Sequence, residues 1–198
     1  MFYDAVANTH GLEWDPFKAL VAPRPIGWIS TLGKNGVVNL APYSFFNAVS
    51  TDPHFVMFSS GGRKDSQRNA EDTGEFVCSL ATYDLRDAMN RTSAHVDPEV
   101  NEMELAGLTP APSRFVAPPR VKESPVAFEC RYWRTIELPG PDGGPGTHSI
   151  VLGQVVGVYI DDAAIAEGRV DVTKLRPIAR LGYGDYAVID EVFTLTRP

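Results

Sequence analysis

Cysteine and histidine are scarce in this chain of 198 residues, which carries two cysteines, Cys78 and Cys130, and four isolated histidines, His10, His54, His95 and His148. With no CxxC pair and no Cys/His cluster at metal-ligand spacing, neither a zinc module nor a disulfide-rich scaffold is expected. Each cysteine sits in an apolar, strand-like run, which suits a reducing compartment. Basic charge is also short: 18 Lys and Arg stand against 25 Asp and Glu, a net charge of −7, and the cations are scattered. Nothing there draws the chain to a phosphate backbone or an anionic bilayer, so neither nucleic acid nor membrane is an expected partner. The longest apolar run, Ile150 to Ile160, is too short to cross a bilayer. The opening MFYDAVANTHGLEWDPF has no basic region followed by an apolar stretch, so a cytoplasmic protein is the expectation. Without a secretion signal, Asn90-Arg91-Thr92 is a chance match to a glycosylation acceptor.

Familiar catalytic signatures are missing as well: the sequence has no GxxxxGK[ST], no HExxH and no GxSxG. Gly182-Tyr183-Gly184-Asp185-Tyr186-Ala187 has the letters of a dinucleotide fingerprint. Only 11 residues follow it, too few for the roughly 30-residue βαβ unit that the motif needs.

Turn formers are plentiful, with 17 Gly and 16 Pro, above the roughly 12% of average usage. That density suits many short strands better than a helical bundle. Hydrophobic residues at 43% and charged residues at 22% mark a soluble globular chain, long enough for one domain with a core of its own.

Pro25 to Thr31 reads as a strand, Gly33-Lys34-Asn35-Gly36 as a hairpin turn and Val37 to Pro42 as the returning strand. Tyr43 to Ser50 continues extended or as a short helical turn, Thr51-Asp52-Pro53 turns, and His54 to Ser59 is a strand ending at Gly61-Gly62. A helix starts at Asp65 or Ser66, capped by one of them, and stops at Gly74. Glu75 to Ala81 is a strand, and Asp84 caps a second helix through Asn90. A Pro-rich connection spans Pro110 to Pro125. Val126, Phe128, Cys130 and Tyr132 then alternate with Ala127, Glu129, Arg131 and Trp133 in a half-buried strand. A flexible loop, 139–146, leads to a long antiparallel strand from Ser149 to Ile160. Asp161 to Glu167 predicts a short helix and Asp190 to Leu195 a last strand. Six or seven strands with two or three short helices and no strict alternation favour a mainly β fold, a closed or partly closed antiparallel barrel.

Two constellations carry chemistry. In Ser59-Ser60-Gly61-Gly62-Arg63-Lys64-Asp65-Ser66 a strand ends, glycines turn the backbone, two cations follow and a helix begins. A helix N-terminus with Lys64, Arg63 and the Ser66 hydroxyl can hold a phosphate. The same residues equally fit an ordinary capped helix with solvated cations. Ser30-Thr31 and the run from Asn39 to Asn47 set hydroxyls and amides among aromatic rings, a wall that can flank a planar ligand and meet its mixed donor and acceptor edge. Plain core packing by Tyr43, Phe45 and Phe46 accounts for that composition too.

The run Ala22-Pro23-Arg24-Pro25-Ile26-Gly27-Trp28-Ile29-Ser30-Thr31 is followed by Asn39-Leu40-Ala41-Pro42-Tyr43-Ser44-Phe45-Phe46-Asn47-Ala48-Val49-Ser50 and Arg63-Lys64-Asp65-Ser66. Together they resemble the flavin reductase-like, FMN-binding split-barrel family. The likeness continues through Met89-Asn90-Arg91-Thr92-Ser93-Ala94 to Leu175-Arg176-Pro177-Ile178-Ala179-Arg180-Leu181-Gly182. It spans nearly the whole chain as one domain, 1–198, leaving the lead-in (1–20) and the 139–146 loop private to this sequence. Many members have Lys-Asp-Thr where this chain has Lys64-Asp65-Ser66, which keeps the hydroxyl.

The resemblance implies a six-stranded antiparallel Greek-key barrel, a homodimer, FMN as cofactor and NADH or NADPH as co-substrate. By the same likeness Arg63, Lys64 and Ser66 match the phosphate-side motif. Ser30, Thr31, Asn39, Ser44 and Asn47 match the lining of the flavin, and Thr92 and Ser93 match a segment approaching it from the same or a partner subunit. No catalytic side chain is needed, because the hydride chemistry belongs to nicotinamide and flavin. The implied activity is flavin reduction, with reduced flavin or electrons passing to an acceptor such as a monooxygenase component. A non-enzymatic FMN electron carrier or flavin-sequestering protein is the alternative.

Overall fold

The computed structural model describes residues 1–198. β1 (Gly27–Leu32) turns through Gly36, whose φ of 81° suits glycine alone, into β2 (Val38–Tyr43). Their pairing sets Ser30 opposite Leu40 and Thr31 opposite Asn39. β3 (Phe46–Thr51), β4 (His54–Gly61), β5 (Glu75–Leu80), β6 (Val126–Pro139) and β7 (Pro145–Ile160) complete an antiparallel sheet of order β2-β1-β5-β6-β7-β4-β3. Strand accounts for 40% of the chain and helix for 15%, so the mainly β expectation holds.

The two edge strands, β2 and β3, are separated only by Ser44 and Phe45, and the Ser59 amide donates to the Phe45 carbonyl at 2.8 Å across the gap. They are halves of one bent strand, pairing with β1 on the first half and β4 on the second. The sheet therefore closes on itself as a six-stranded barrel, and its edges disappear. Helix α2 (Asp65–Thr73) crosses from β4 to β5, strands that are not neighbours. Its buried face, Ser66, Gln67, Asn69 and Ala70, packs inward, and Gly74 ends it in the left-handed conformation.

Inside the barrel Ile29, Phe58, Phe76, Cys78, Cys130 and Val151 pack together. A second core gathers Trp28, Leu40, Met103, Leu108, Val121 and Ile178. Since β1 contributes Trp28 to one and Ile29 to the other, it is buried on both faces, which explains its near-continuous apolar run. Helices α3 (Arg86–Arg91) and α4 (Glu102–Leu105) supply Met89 and Met103 to the second core. The lead-in carries one turn of helix, α1 (Phe17–Leu20). No helix is long and apolar enough to cross a membrane.

Several local expectations are overturned. Neither Asp65 nor Ser66 caps α2: Lys64 holds the N-cap position without a side-chain bond, while Asp65 turns to Arg68 and Ser66 to Asn39. Asp84 does not cap α3, which begins after Leu85; its carboxylate lies 3.4 Å from Arg176. Asp190 to Leu195 forms no strand, because the edge offered by Ile178–Arg180 is taken by Tyr186–Val188. The helix predicted over Asp161 to Glu167 shortens to a 3-10 turn, Asp162–Ala164, capped by Asp161.

The Pro-rich connection folds back on its own chain. Pro110–Ala111 pairs with Arg120–Val121, and the segment between covers the outer face of β6. Glu129, which alternation places on a wet face, is 5% exposed there and accepts the amides of Arg114 and Phe115 at 2.9 and 2.6 Å. The 139–146 loop is shorter than its sequence suggests: Pro139 pairs with Pro145, and 140–144 remain as a tight turn closed by the Gly140 amide on the Gly144 carbonyl at 2.7 Å.

Candidate functional site

Where β4 stops, Gly62 (φ 80°) swings the chain so that α2 starts at the rim of a cleft of about 490 Å3. Asn39, Ser44, Arg63, Lys64, Ser66, Thr92 and Ser93 all line it. Seven of the residues singled out from sequence are thus brought to one place. The first turn of α2 has no side-chain cap, so its amides are left free at the cleft, and the one acid of that turn, Asp65, is engaged by Arg68. The cations beside it differ in availability. Arg63 is held by Glu71 at 2.8 Å and Arg68 by Asp65, whereas exposed Lys64 takes part in no ion pair.

Beneath the helix start lies a polar layer. Asn39 Nδ2 donates to Ser66 Oγ at 2.9 Å and to Thr31 Oγ1 at 3.3 Å, and Asn69 Nδ2 donates to the same threonine at 3.2 Å. Thr31 is fully buried, so it acts behind the cleft wall, not in it. Ser30 lies on the other face of β1 and donates to the Pro119 carbonyl at 2.5 Å, away from the cleft. Asn47 also lies elsewhere: with Met57, Leu138, His148 and Ile150 it lines a separate cleft of about 800 Å3, which reaches the first around Ser44 and Phe45.

Thr92 is 2% exposed. It accepts the Trp28 indole N–H at 2.9 Å and donates to the Met89 carbonyl at 2.8 Å, so its hydroxyl holds the wall in place. Ser93 is exposed and donates to the Asn90 carbonyl at 2.6 Å. Both line the cleft of their own chain.

Sequence reasoning missed Glu102, which also lines the cleft. Its carboxylate accepts the Leu40 amide at 3.0 Å; burial pushes its pKa up, and that amide partly offsets the rise. A lone acid on a four-residue helix gives no periodic signal. Burial likewise pushes the Tyr43 phenol up, eased by the hydroxyls of Ser66 and Ser60. His95, isolated in sequence, is on the cleft wall too.

The donor set fits a phosphate monoester: an uncapped helix start, an unpaired lysine, and a serine hydroxyl with an asparagine behind it. The Phe45 ring and the Ser44 and Ser93 hydroxyls continue the wall beyond that end, where a flat, mixed-polarity group has both ring contact and hydrogen-bond partners. The residues present therefore fit FMN.

The model of the flavin reductase like domain matches residues 20–178. Among solved structures, nitrilotriacetate monooxygenase component B from Bacillus cereus is 35% identical with a TM-score of 0.88, over 98% of both chains. A 2-nitrobenzoate 2-nitroreductase from Pseudomonas fluorescens is 26% identical with a TM-score of 0.87, over 100% of this chain and 96% of its own. A split-barrel protein from Shewanella frigidimarina, 22% identical over 100% of both chains, has a TM-score of 0.86 and speaks to the fold.

Proposed function

The chain belongs to the flavin reductase like family, and from that premise we propose that it is an FMN-binding oxidoreductase that reduces flavin with NADH or NADPH. The observation that carries this reading is the uncapped start of α2 beside unpaired Lys64 and Ser66, with Phe45 and Ser44 continuing the same wall. When bound, FMN supplies the hydride acceptor and passes electrons on. The chain's own part is to bind and orient. Lys64, Ser66 and the first-turn amides would hold the phosphate, and Asn39 and Thr31 fix the Ser66 hydroxyl. Ser44, Phe45 and Ser93 would flank the ring, with Thr92 stiffening their support. Arg63, engaged by Glu71, adds charge at the rim.

The similarity to a monooxygenase component B supports delivery of reduced flavin or electrons to a monooxygenase partner. A homodimer belongs to the same reading; Trp133, Ile136 and Leu138 stay exposed on the outer half of β6, the kind of apolar face that association covers. Anaerobic stopped-flow mixing of FMN-loaded protein with NADH, and separately with NADPH, tests the activity. Saturable flavin bleaching faster than with free FMN is the expected result. Bleaching no faster than free FMN with either nucleotide, yet rapid with a chemical reductant, would make the protein an electron carrier instead.

A further inference from the structure

Against the candidate flavin cleft lies a larger one of about 930 Å3, and the two share Pro42, Ser44, Phe45 and Ser93. Its walls come from both ends of the chain. The lead-in brings Tyr3, Trp14 and Phe17, and the region after the Ile178–Arg180 strand brings Tyr183 and Tyr186. These rings give the cleft flat apolar faces with polar rims.

Its charge is unlike that of the chain as a whole. Lys18, Arg24 and Arg180 line it against one acid, Asp15, in a protein of net charge −7. Asp15 is already occupied, accepting the Phe17 amide at 2.8 Å and Asn8 Nδ2 at 3.2 Å. Arg24 is 6% exposed. Its terminal nitrogens meet only the carbonyls of Lys18, Val21 and Leu181, and its buried Nε has no partner. Arg180 donates to the Tyr186 hydroxyl at 2.5 Å and to the Tyr183 carbonyl. Neither guanidinium forms an ion pair. Burial, and then the Arg180 charge, hold the Arg24 pKa below its ordinary value, so the two cations oppose each other. Two neighbouring guanidiniums without a carboxylate are costly to keep, and an entering anion would relieve both.

We propose that this cleft is a second binding site, for a planar ring that carries an anionic group, an aromatic carboxylate or a nucleotide phosphate. The ring lies among Tyr3, Trp14 and Phe17, and the anion is met by Arg180, with Arg24 and Lys18 adding field. Arg24, clamped by three carbonyls, positions the lead-in across the barrel and gives charge from behind. Binding of such an anion stands by itself; that the occupant is the electron-exchanging co-substrate rests on the flavin reading, through the shared Ser44–Phe45 and Ser93 wall.

The test is calorimetric titration, with Trp14 fluorescence in parallel, of FMN-saturated protein and of the Lys64→Met variant without FMN, which removes the phosphate end of the first cleft. The probes are salicylate with its neutral counterpart salicylamide, and ADP with adenosine. Saturable binding of salicylate or ADP is expected, tighter than the neutral counterpart by roughly ten- to a hundred-fold. Arg180→Met should erase that preference and Arg180→Lys should retain part of it, with FMN binding unchanged in both. Whichever anion binds tighter identifies the source of the charge. No saturation by either anion at about 10 mM, or the same preference in Arg180→Met, overturns the proposal. Should Arg180→Met fail to fold, the charged-against-neutral comparison in the unaltered chain decides: equal affinity overturns it. Failure of FMN to bind, with the anion preference intact in Lys64→Met, would defeat the flavin reading and leave this site standing.

Discussion

Asn39 and Ser66, 27 positions apart, meet through a 2.9 Å hydrogen bond from Nδ2 to Oγ that ties the start of the bent β2–β3 strand to the first turn of α2. The amide also reaches Thr31 Oγ1, so the start of the helix is referenced to two adjacent strands of the barrel. Breaking one partner of such a buried layer leaves the others unsatisfied, at about 1 to 3 kcal/mol. Asn39→Leu is therefore expected to lower stability by that amount in urea unfolding, and to weaken FMN binding as well. An Asn39→Leu protein with unchanged FMN affinity would show that the layer serves the fold alone.

Lys64 distinguishes phosphate from ring. A charge-assisted hydrogen bond contributes about 1.5 to 3 kcal/mol, so Lys64→Met is expected to weaken FMN binding roughly ten- to a hundred-fold while leaving riboflavin nearly unaffected. Fluorescence titration with both flavins checks this. Equal losses would place Lys64 against the ring or the fold.

Two carboxylates should respond to pH with opposite sign. Burial would raise the Glu71 pKa, but hydrogen bonds from Gln67, Thr135 and Arg63 outweigh it and hold the group below its ordinary 4.5. That interaction stabilises the fold above pH 4.5 and is lost as pH falls through the lower folded value. Glu102, raised chiefly by burial, instead costs stability as pH rises from 4.5 through its folded value. Glu71→Gln should lower stability at neutral pH and flatten the acid limb. Glu102→Gln, whose amide oxygen can still accept the Leu40 N–H, should raise it. Denaturant melts from pH 3 to 7 (about one point per half unit) give both slopes.

Thr92→Val keeps the shape of its side chain and removes the acceptor of the fully buried Trp28 indole. A loss of about 1 to 3 kcal/mol is expected, together with a shift in tryptophan emission. An unchanged midpoint in urea would mean that another acceptor takes the indole N–H.

If the homodimer forms, sedimentation at about 10 μM should give twice the mass of one chain, and Trp133→Glu on the exposed half of β6 should shift it toward the monomer. A monomer that still binds FMN tightly would show that one chain builds the whole site, consistent with Thr92 and Ser93 lining their own cleft.

Local chemistry was enough to read much of this protein from its residues in order. The strand from His54, the period-two run that opens β6, the Gly36 turn and the Gly74 stop are short-range effects of side-chain pattern and of φ freedom, and they stand where the sequence put them. The glycine turn into a helix with two cations likewise marked one end of a cleft, because a helix start and its flanking charges are consecutive in the chain. What the sequence could not decide depends on residues that are far apart. Whether Asp65 or Ser66 caps α2 was settled by Arg68 and Asn39 competing for them. Whether Glu129 is wet was settled by the segment folded over β6. Ser30 and Thr31, adjacent in sequence, fall on opposite faces of β1, one to Pro119 and one to Asn39, because a strand alternates and only the closed barrel says which face holds the cleft. The pairing of Arg24 with Arg180 is wholly tertiary: 156 positions separate them, and only the antiparallel pairing of Arg24–Pro25 with Ile178–Arg180 sets these two unneutralised cations opposite each other on one wall.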